Sequence, residues 1–549
     1  MVNSVLKNRY HLFSMLLGAL FFAYAMDIRI INPYYSSWLM NGYDWSQHYL
    51  GWLFFKTEPW QFPLGKISCY NSQFGTSICY TDSIALLAIP LKLFRKLFPS
   101  EIQYFGLFFL SCFVLQGLLG FLLSGLFTKN RLIQLTAASF FIVSPVLVNR
   151  YHHTSLCAQW VILCALWFYL KEHEGAFRKV FVSWLTLHIV TSLIHPYLEF
   201  IILFVFIAHL FKLRFIQKNI NYLQLTLSIV SVSIMLMFNW WINGCFIFEK
   251  STEYSAWGFG EKNLDLLALF NPYGSSKLLY FMKEGSVFWA EGYNYLGLGG
   301  IILLFAAVVV FLKSNTMREQ LRNYIPLLIA LFLLTLIAIG NTVTVYNQIL
   351  FEIQLSDRLS NLAGVFRSSG RLFWAAYYFI IYVLLYVVVK YFHRKSIPIL
   401  IALIALQVFD NSDIDKYKKD FNPAENPIKS SKWEVIGRGS ENVVIAGKIP
   451  WDDGKFFALY AYRHNMKINR GYVARFDWKA LQSYVKTLKI QLKEGMADPK
   501  SVYIVSKDIT AISQDKITCG FIDNFKVCVS KQSVLSELFT EKRVPHGLL

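Results

Sequence analysis

Long apolar runs separated by short basic loops recur along the first 409 residues. Runs long enough to cross ~30 Å of hydrocarbon predict about eleven helices. They fall at 11–27, 103–127, 131–148, 155–170, 180–194, 197–211, 222–242, 295–312, 323–340, 372–391 and 397–409. Segment 84–98 carries Lys92, Arg95 and Lys96 towards its end, which predicts a helix lying among lipid headgroups. At Asp410 the pattern breaks. Residues 410–430 form a polar linker with turn signals at Asn422-Pro423 and Asn426-Pro427. Beyond it, 442–446, 456–462 and 501–505 read as strands, and 478–493 as an amphipathic helix ended by Gly495. The expected fold is mainly α: a polytopic membrane helical bundle over 1–409, then a small extracytoplasmic α/β domain over 431–549.

Composition supports the membrane reading. Of 549 residues, 55% are hydrophobic, 17% aromatic and only 16% charged, against roughly 25% charged in soluble domains. The mean hydropathy is +0.41. A net charge of +19 would suggest nucleic acid in a soluble chain. Here much of the excess sits in loops, at Lys7/Arg9, Lys129/Arg131, Lys171/Arg178/Lys179, Lys212/Arg214/Lys218, Lys313/Arg318/Arg322 and Lys390/Arg394/Lys395. The positive-inside rule makes those loops cytoplasmic. Anionic membrane lipid is therefore the expected partner of these charges, and nucleic acid is not. The N-terminus is then inside, while loops 28–102, 243–294 and 341–371 and the C-terminal domain are outside. Ala23-Tyr24-Ala25 resembles a signal-peptidase site, but an uncleaved first helix is expected. Cys69 with Cys79, and Cys519 with Cys528, are candidate disulfides of an oxidising compartment.

Polar chemistry concentrates in the outer loops. If 43–55 is helical, Asp44, Gln47, His48 and Gly51 form one stripe, with Trp45, Tyr49, Trp52 and Leu53 on the other side. That predicts an interfacial helix whose aromatics meet the headgroups and whose polar stripe floors a pocket. Asp82 reads either as a helix cap or as a second active-site acid, and Glu58 as ordinary surface. Arg367 and Arg371, four apart, would point the same way on a helix and suit a phosphate clamp, unless they merely snorkel. His195 and the turn Arg150-Tyr151-His152-His153 are pocket-lining candidates, and Glu199 is an acid at a membrane boundary. Trp289 and Glu291 close the loop 243–294, followed by Gly297 and Gly299, which suit close helix packing.

These features resemble the GT-C class of membrane glycosyltransferases. The fragments that carry the resemblance are Asp44-x-x-Gln47-His48, Trp60-Gln61-Phe62-Pro63-Leu64-Gly65, Asp82-Ser83-Ile84 and Phe366-Arg367-Ser368-Ser369-Gly370-Arg371. They look like a bacterial branch of that class, similar to proteins that decorate teichoic acids and other envelope glycans. The resemblance implies a sugar donor on a polyprenyl phosphate, an envelope glycan, lipid or protein acceptor, and the inner membrane as location. It makes Asp44 the catalytic base and Asp82 a second acid or metal ligand. It places Gln47, His48, Trp60, Arg367, Arg371, His195 and Glu291 around substrate. The chemistry fits, because an acceptor hydroxyl needs a positioned carboxylate and a departing phosphate needs cations. The first outer loop lacks an Asp-x-Asp; the one such pattern is Asp413-Ile414-Asp415 in the linker. No cofactor is read from the sequence, and nothing in it indicates a divalent cation.

Other readings compete. An O-antigen polymerase or ligase also uses outer arginines on lipid pyrophosphates but needs no early acidic base. A transporter or flippase would favour broken helices at mid-membrane. A scaffold whose outer domain binds envelope proteins needs none of these charges.

Overall fold

The computed structural model describes residues 2–172, 176–247, 259–280, 291–313, 323–346, 348–411, 414–475 and 477–539. Trp289, Arg318, Arg322 and Asp413 lie outside them. The chain forms two compact units. The first comprises Met1–Tyr35, Gln103–Asn239 and Ser255–Phe421; the second comprises Ser36–Ile102, Trp240–Tyr254 and Asn422–Leu549. The strands, in chain order, are β1 (Lys66–Ile67), β2 (Thr76–Ser77), β3 (Thr342–Val345), β4 (Gln348–Glu352), β5 (Asn442–Ala446), β6 (Lys467–Ile468), β7 (Ser501–Val505), β8 (Ile517–Ile522) and β9 (Phe525–Ser530).

The first unit is helical apart from the β3–β4 hairpin. A helix occupies each predicted apolar position, from Val2–Ala25 to Ser396–Asp410. Among the described residues, four stretches could cross a membrane by length and composition: Phe105–Ser124, Arg131–His152, Tyr222–Ile242 and Ser369–Asp410. Thr154–Leu170, Leu298–Val310 and Ile325–Ile339 are apolar but shorter. Gly299 has the packing role expected of it. A Cβ there would lie 2.3 Å from the Leu403 carbonyl oxygen, so only glycine lets the helices Leu298–Lys313 and Ser396–Asp410 approach this closely.

The second unit joins the loop after the first helix to the C-terminal domain. Its sheet runs β6-β5-β7-β9-β8, with β5 parallel to β6 and β7, and β9 antiparallel to β7 and β8. The loop continues the sheet beyond β6. Ile468 donates its N–H to the Cys69 carbonyl at 2.9 Å, and Ser72 donates to the Ile468 carbonyl at 2.8 Å. Edge pairing of this kind satisfies backbone groups that would otherwise lie open.

Three expectations change here. Residues 456–462 belong to a helix, Trp451–Arg463, not a strand. Its aromatics favour β structure locally, but Phe457 and Tyr460 both rest on Trp433, with ring centroids 5.6 and 5.5 Å away. That spacing of three suits a helix, and burial against Trp433 outweighs propensity. Cys79 pairs with Cys245, not with Cys69. Cys69 is occupied in the sheet edge, and its N–H is held by Glu58 at 2.5 Å. Cys519 and Cys528 do pair, directly opposite one another on β8 and β9.

The third change concerns the helix Tyr43–Thr57. It is not interfacial. Trp45, Tyr49, Trp52 and Leu53 are at most 1% exposed, and the polar side is buried too, with Gln47 at 2% and His48 at 0%. Protein surrounds the helix on both faces, and its polar groups find protein partners. Trp52 Nε1 donates to the Ile102 carbonyl (2.9 Å), Tyr49 Oη to the Glu101 carbonyl (3.0 Å), and Trp451 Nε1 to Ser46 Oγ (3.1 Å). The segment 84–98 is buried at Ile84, Ala85, Ala88 and Lys92 but leaves Leu93, Phe94 and Leu97 exposed. It forms the helix Ala85–Leu93 and a 3-10 turn Arg95–Leu97. Lys92 lies over the rings of Phe55 (4.0 Å) and Trp60 (4.6 Å), and only Lys96 of its three cations is exposed.

Candidate functional site

In the second unit, the predicted stripe faces the turn Thr81-Asp82-Ser83. Gln47 Nε2 donates to Asp82 Oδ2 at 3.1 Å. His48 Nδ1 lies 3.1 Å from the Thr81 carbonyl oxygen, and Ser83 Oγ donates to the His48 carbonyl at 2.9 Å. The turn is pressed against the helix at Gly51, where a Cβ would lie 2.3 Å from Thr81 Cβ. Asp82 does not cap the next helix: that N-cap is Ile84, with no side-chain cap bond. The structure therefore removes the capping alternative. Asp44 sits in the first turn of its helix, where the exposed backbone N–H groups favour a carboxylate, and both Asp44 and Asp82 are half-buried.

Trp60 and Glu58 hold the neighbourhood in shape. The Trp60 ring lies beside Lys92 (4.6 Å), whose ammonium is pushed down to about 8 by burial. Glu58, expected to be surface, is buried. Its oxygens accept the N–H groups of Ser68 (2.7 and 2.8 Å) and Cys69, and Gln61 Nε2 (2.7 Å). Through these bonds Glu58 fixes the loop that reaches the sheet edge.

The first unit holds the other constellation. Arg371 donates to Glu291 Oε2 through Nε (2.9 Å) and Nη2 (2.5 Å), and Arg150 Nη1 reaches the same oxygen at 2.7 Å. Both guanidiniums are buried. Burial alone would raise the Glu291 carboxyl, but Arg371 and Arg150, helped by His153 and Lys262, hold it well below the usual carboxylate range. Arg367 and Arg371 are not a helical i,i+4 pair. The chain runs there as two 3-10 turns, Gly364–Phe366 and Ser369–Phe373, with Arg367 and Ser368 between them outside either turn, so no helical spacing relates Arg367 to Arg371. Arg367 stays half-buried. The second guanidinium at Glu291 is Arg150, which the sequence offered only as part of a short turn.

His195 serves as a cap. Its Nδ1 accepts the Tyr197 N–H at 3.1 Å at the start of the helix Pro196–Phe211. Glu199 is fully buried and pairs with His188 at 2.6 Å. Among the described residues, no group of three or more His, Cys, Asp or Glu side chains is placed to hold a metal ion.

Fold and sites together define a mainly helical protein with several membrane-length apolar helices and a small sheet-containing C-terminal region. A family model described as a domain of unknown function (DUF6311) matches residues 15–412, and the DUF6311 C-terminal domain matches 432–530. The chain belongs to the DUF6311 family. A search of curated proteins found no match.

Proposed function

We propose that this protein is a membrane glycosyltransferase. It moves a sugar from a polyprenyl-phosphate donor to an envelope acceptor on the outer face of the bacterial inner membrane, with Asp44 as base. In this reading about eleven helices span the bilayer, the N-terminus is cytoplasmic, and the C-terminal domain is extracytoplasmic. The observation that carries the proposal lies on the buried helix Tyr43–Thr57: half-buried Asp44 heads it, and Gln47 from the same helix donates to half-buried Asp82 at 3.1 Å. A carboxylate positioned at the start of a buried helix supplies the base that must accept the hydroxyl proton. The acceptor oxygen then attacks the anomeric carbon as the bond to the phosphate oxygen breaks, with inversion. In the first unit, Arg371 and Arg150 against the single carboxylate of Glu291 leave one unit of positive charge, which supports a second reading of its own.

The test is Asp44→Asn in the full chain. Transfer from a polyprenyl-phosphate sugar should fall ~10²–10⁴-fold, the usual worth of a general base, with the thermal melt unchanged. Activity that survives at near wild-type rate removes the base assignment. The arginine cluster would then favour the second reading, an O-antigen polymerase- or ligase-like enzyme that acts on lipid pyrophosphates.

A further inference from the structure

Within the second unit a cleft of about 600 Å³ opens beside the last turn of the helix Tyr43–Thr57. That volume lies within the ~300–1,000 Å³ of small-molecule sites. Lys56, Arg95, Lys96 and Arg463 line it, against one acid, Glu101. Arg463 and Glu101 neutralise one another through two contacts of 2.7 and 2.9 Å. Three positive charges remain.

Those charges are built in. Lys56 is only 3% exposed. Its ammonium donates to the carbonyls of Pro99 (3.0 Å) and Ser100, leaving one of its three donors for a ligand. Arg95 Nη1 reaches the Lys56, Thr57 and Glu58 carbonyls at 3.0, 3.2 and 2.5 Å, so it is anchored at the helix end while its charge stays at the cleft. Burial lowers Lys56 to about 8, partly offset by Glu101, and an incoming anion would relieve that cost. The rest of the lining is mixed: the rings of Phe98 and Tyr462 lie beside the hydroxyls of Thr57 and Ser100. Ring faces together with hydrogen-bonding groups suit a sugar, whereas a purely ionic site needs no rings.

We propose that this cleft binds a phosphate-bearing saccharide and that it is the acceptor's anchoring subsite. Asp44 and Lys56 lie on one straight helix, twelve residues apart, which separates them by ~18 Å. An acceptor that reaches both is therefore an oligomer of several units with its phosphate held away from the reacting hydroxyl. This rests on the glycosyltransferase reading for the acceptor's role, but the binding itself does not.

The experiment is isothermal titration of the full chain in neutral detergent with glucose 1-phosphate, glucose and inorganic phosphate, alongside vesicles of phosphatidylglycerol or phosphatidylcholine. Glucose 1-phosphate should bind best, at about millimolar strength or tighter. Lys96→Glu, an exposed change, should weaken it roughly fivefold, and Glu101→Gln should tighten it about twofold, as removal of a like charge requires. Asp44→Asn should leave binding unchanged, which separates failure of the cleft from failure of the base. Glucose binding as well as its phosphate, inorganic phosphate binding better than the sugar phosphate, or no binding at all would overturn the proposal. So would a Lys96-dependent response confined to phosphatidylglycerol vesicles.

Discussion

Asp44 and Glu291 are both acids in polar constellations, yet their surroundings differ. Asp44 is half-buried at a helix start, in the constellation where neutral Gln47 holds Asp82. Glu291 is held by two buried guanidiniums that depress its carboxyl. A carboxylate so strongly stabilised as an anion is a poor base. Its work is to keep Arg150 and Arg371 in place and to subtract one unit from their charge. The comparison teaches that two acids in polar loops can be built in quite differently: Glu291 is the counter-ion of two buried cations, whereas Asp44 stands in the first turn of a helix.

Exchanging the two acids for amides should separate these roles. Asp44→Asn should abolish most transfer with little change in melting, as set out above. Glu291→Gln should do the reverse first, lowering stability by about 3–5 kcal/mol because two buried cations lose their counter-charge. A melt of the detergent-solubilised protein measures this. The same pairing should show in pH dependence. Because Glu291 is depressed in the folded protein, its contribution is fully present above the unfolded value of ~4.3 and is lost as pH falls through the lower folded value. Glu291→Gln should flatten the acid limb of the melting curve, and an unchanged limb would remove Glu291 as its source.

The loop that carries Asp44 offers smaller effects. Cys245→Ser opens a link between positions 166 apart and should cost about 2–4 kcal/mol. Peptide mapping without reductant should find Cys79 joined to Cys245 and Cys69 as a thiol; a Cys69–Cys79 peptide would reverse the assignment. Gly51→Ala should cost ~1–3 kcal/mol by overpacking, since its methyl would meet Thr81. A neutral result there would mean that the Thr81–Ser83 turn is not pressed against the helix as described.

Legibility divided along the range of the interactions involved. The helices could be read because an apolar run records its own burial, and Gly495 marked the end of Trp478–Glu494 by its left-handed backbone. The stripe Asp44-Gln47-His48 was legible because helical spacing is local. Its partner Asp82 was recognised as an acid, but only the fold could show that Gln47, not a helix end, takes it. The roles of Arg150 and Cys245 are not legible because each is acquired from a residue remote in sequence, whereas Glu58 is held by the nearby turn Ser68-Cys69, whose fold back onto it leaves no periodic signal. The β8–β9 hairpin left a signal that went unread. Asp523-Asn524, both left-handed at φ 47° and 66°, separates two alternating segments, which is the mark of a tight two-residue turn.

The sheet edge that accepts Cys69 and Ser72 also sets a timetable for synthesis. Tyr70 hydrogen-bonds to Tyr472, 402 positions later. At ~5–20 residues per second, the loop emerges roughly 20–80 s before its partner strand exists. During that interval its backbone and the apolar faces of Trp45, Tyr49 and Trp52 wait without their final cover. The Asp44 segment is thus made long before it is finished, so removal of the strand Lys467–Ile468 should expose a region about 400 residues earlier in the chain.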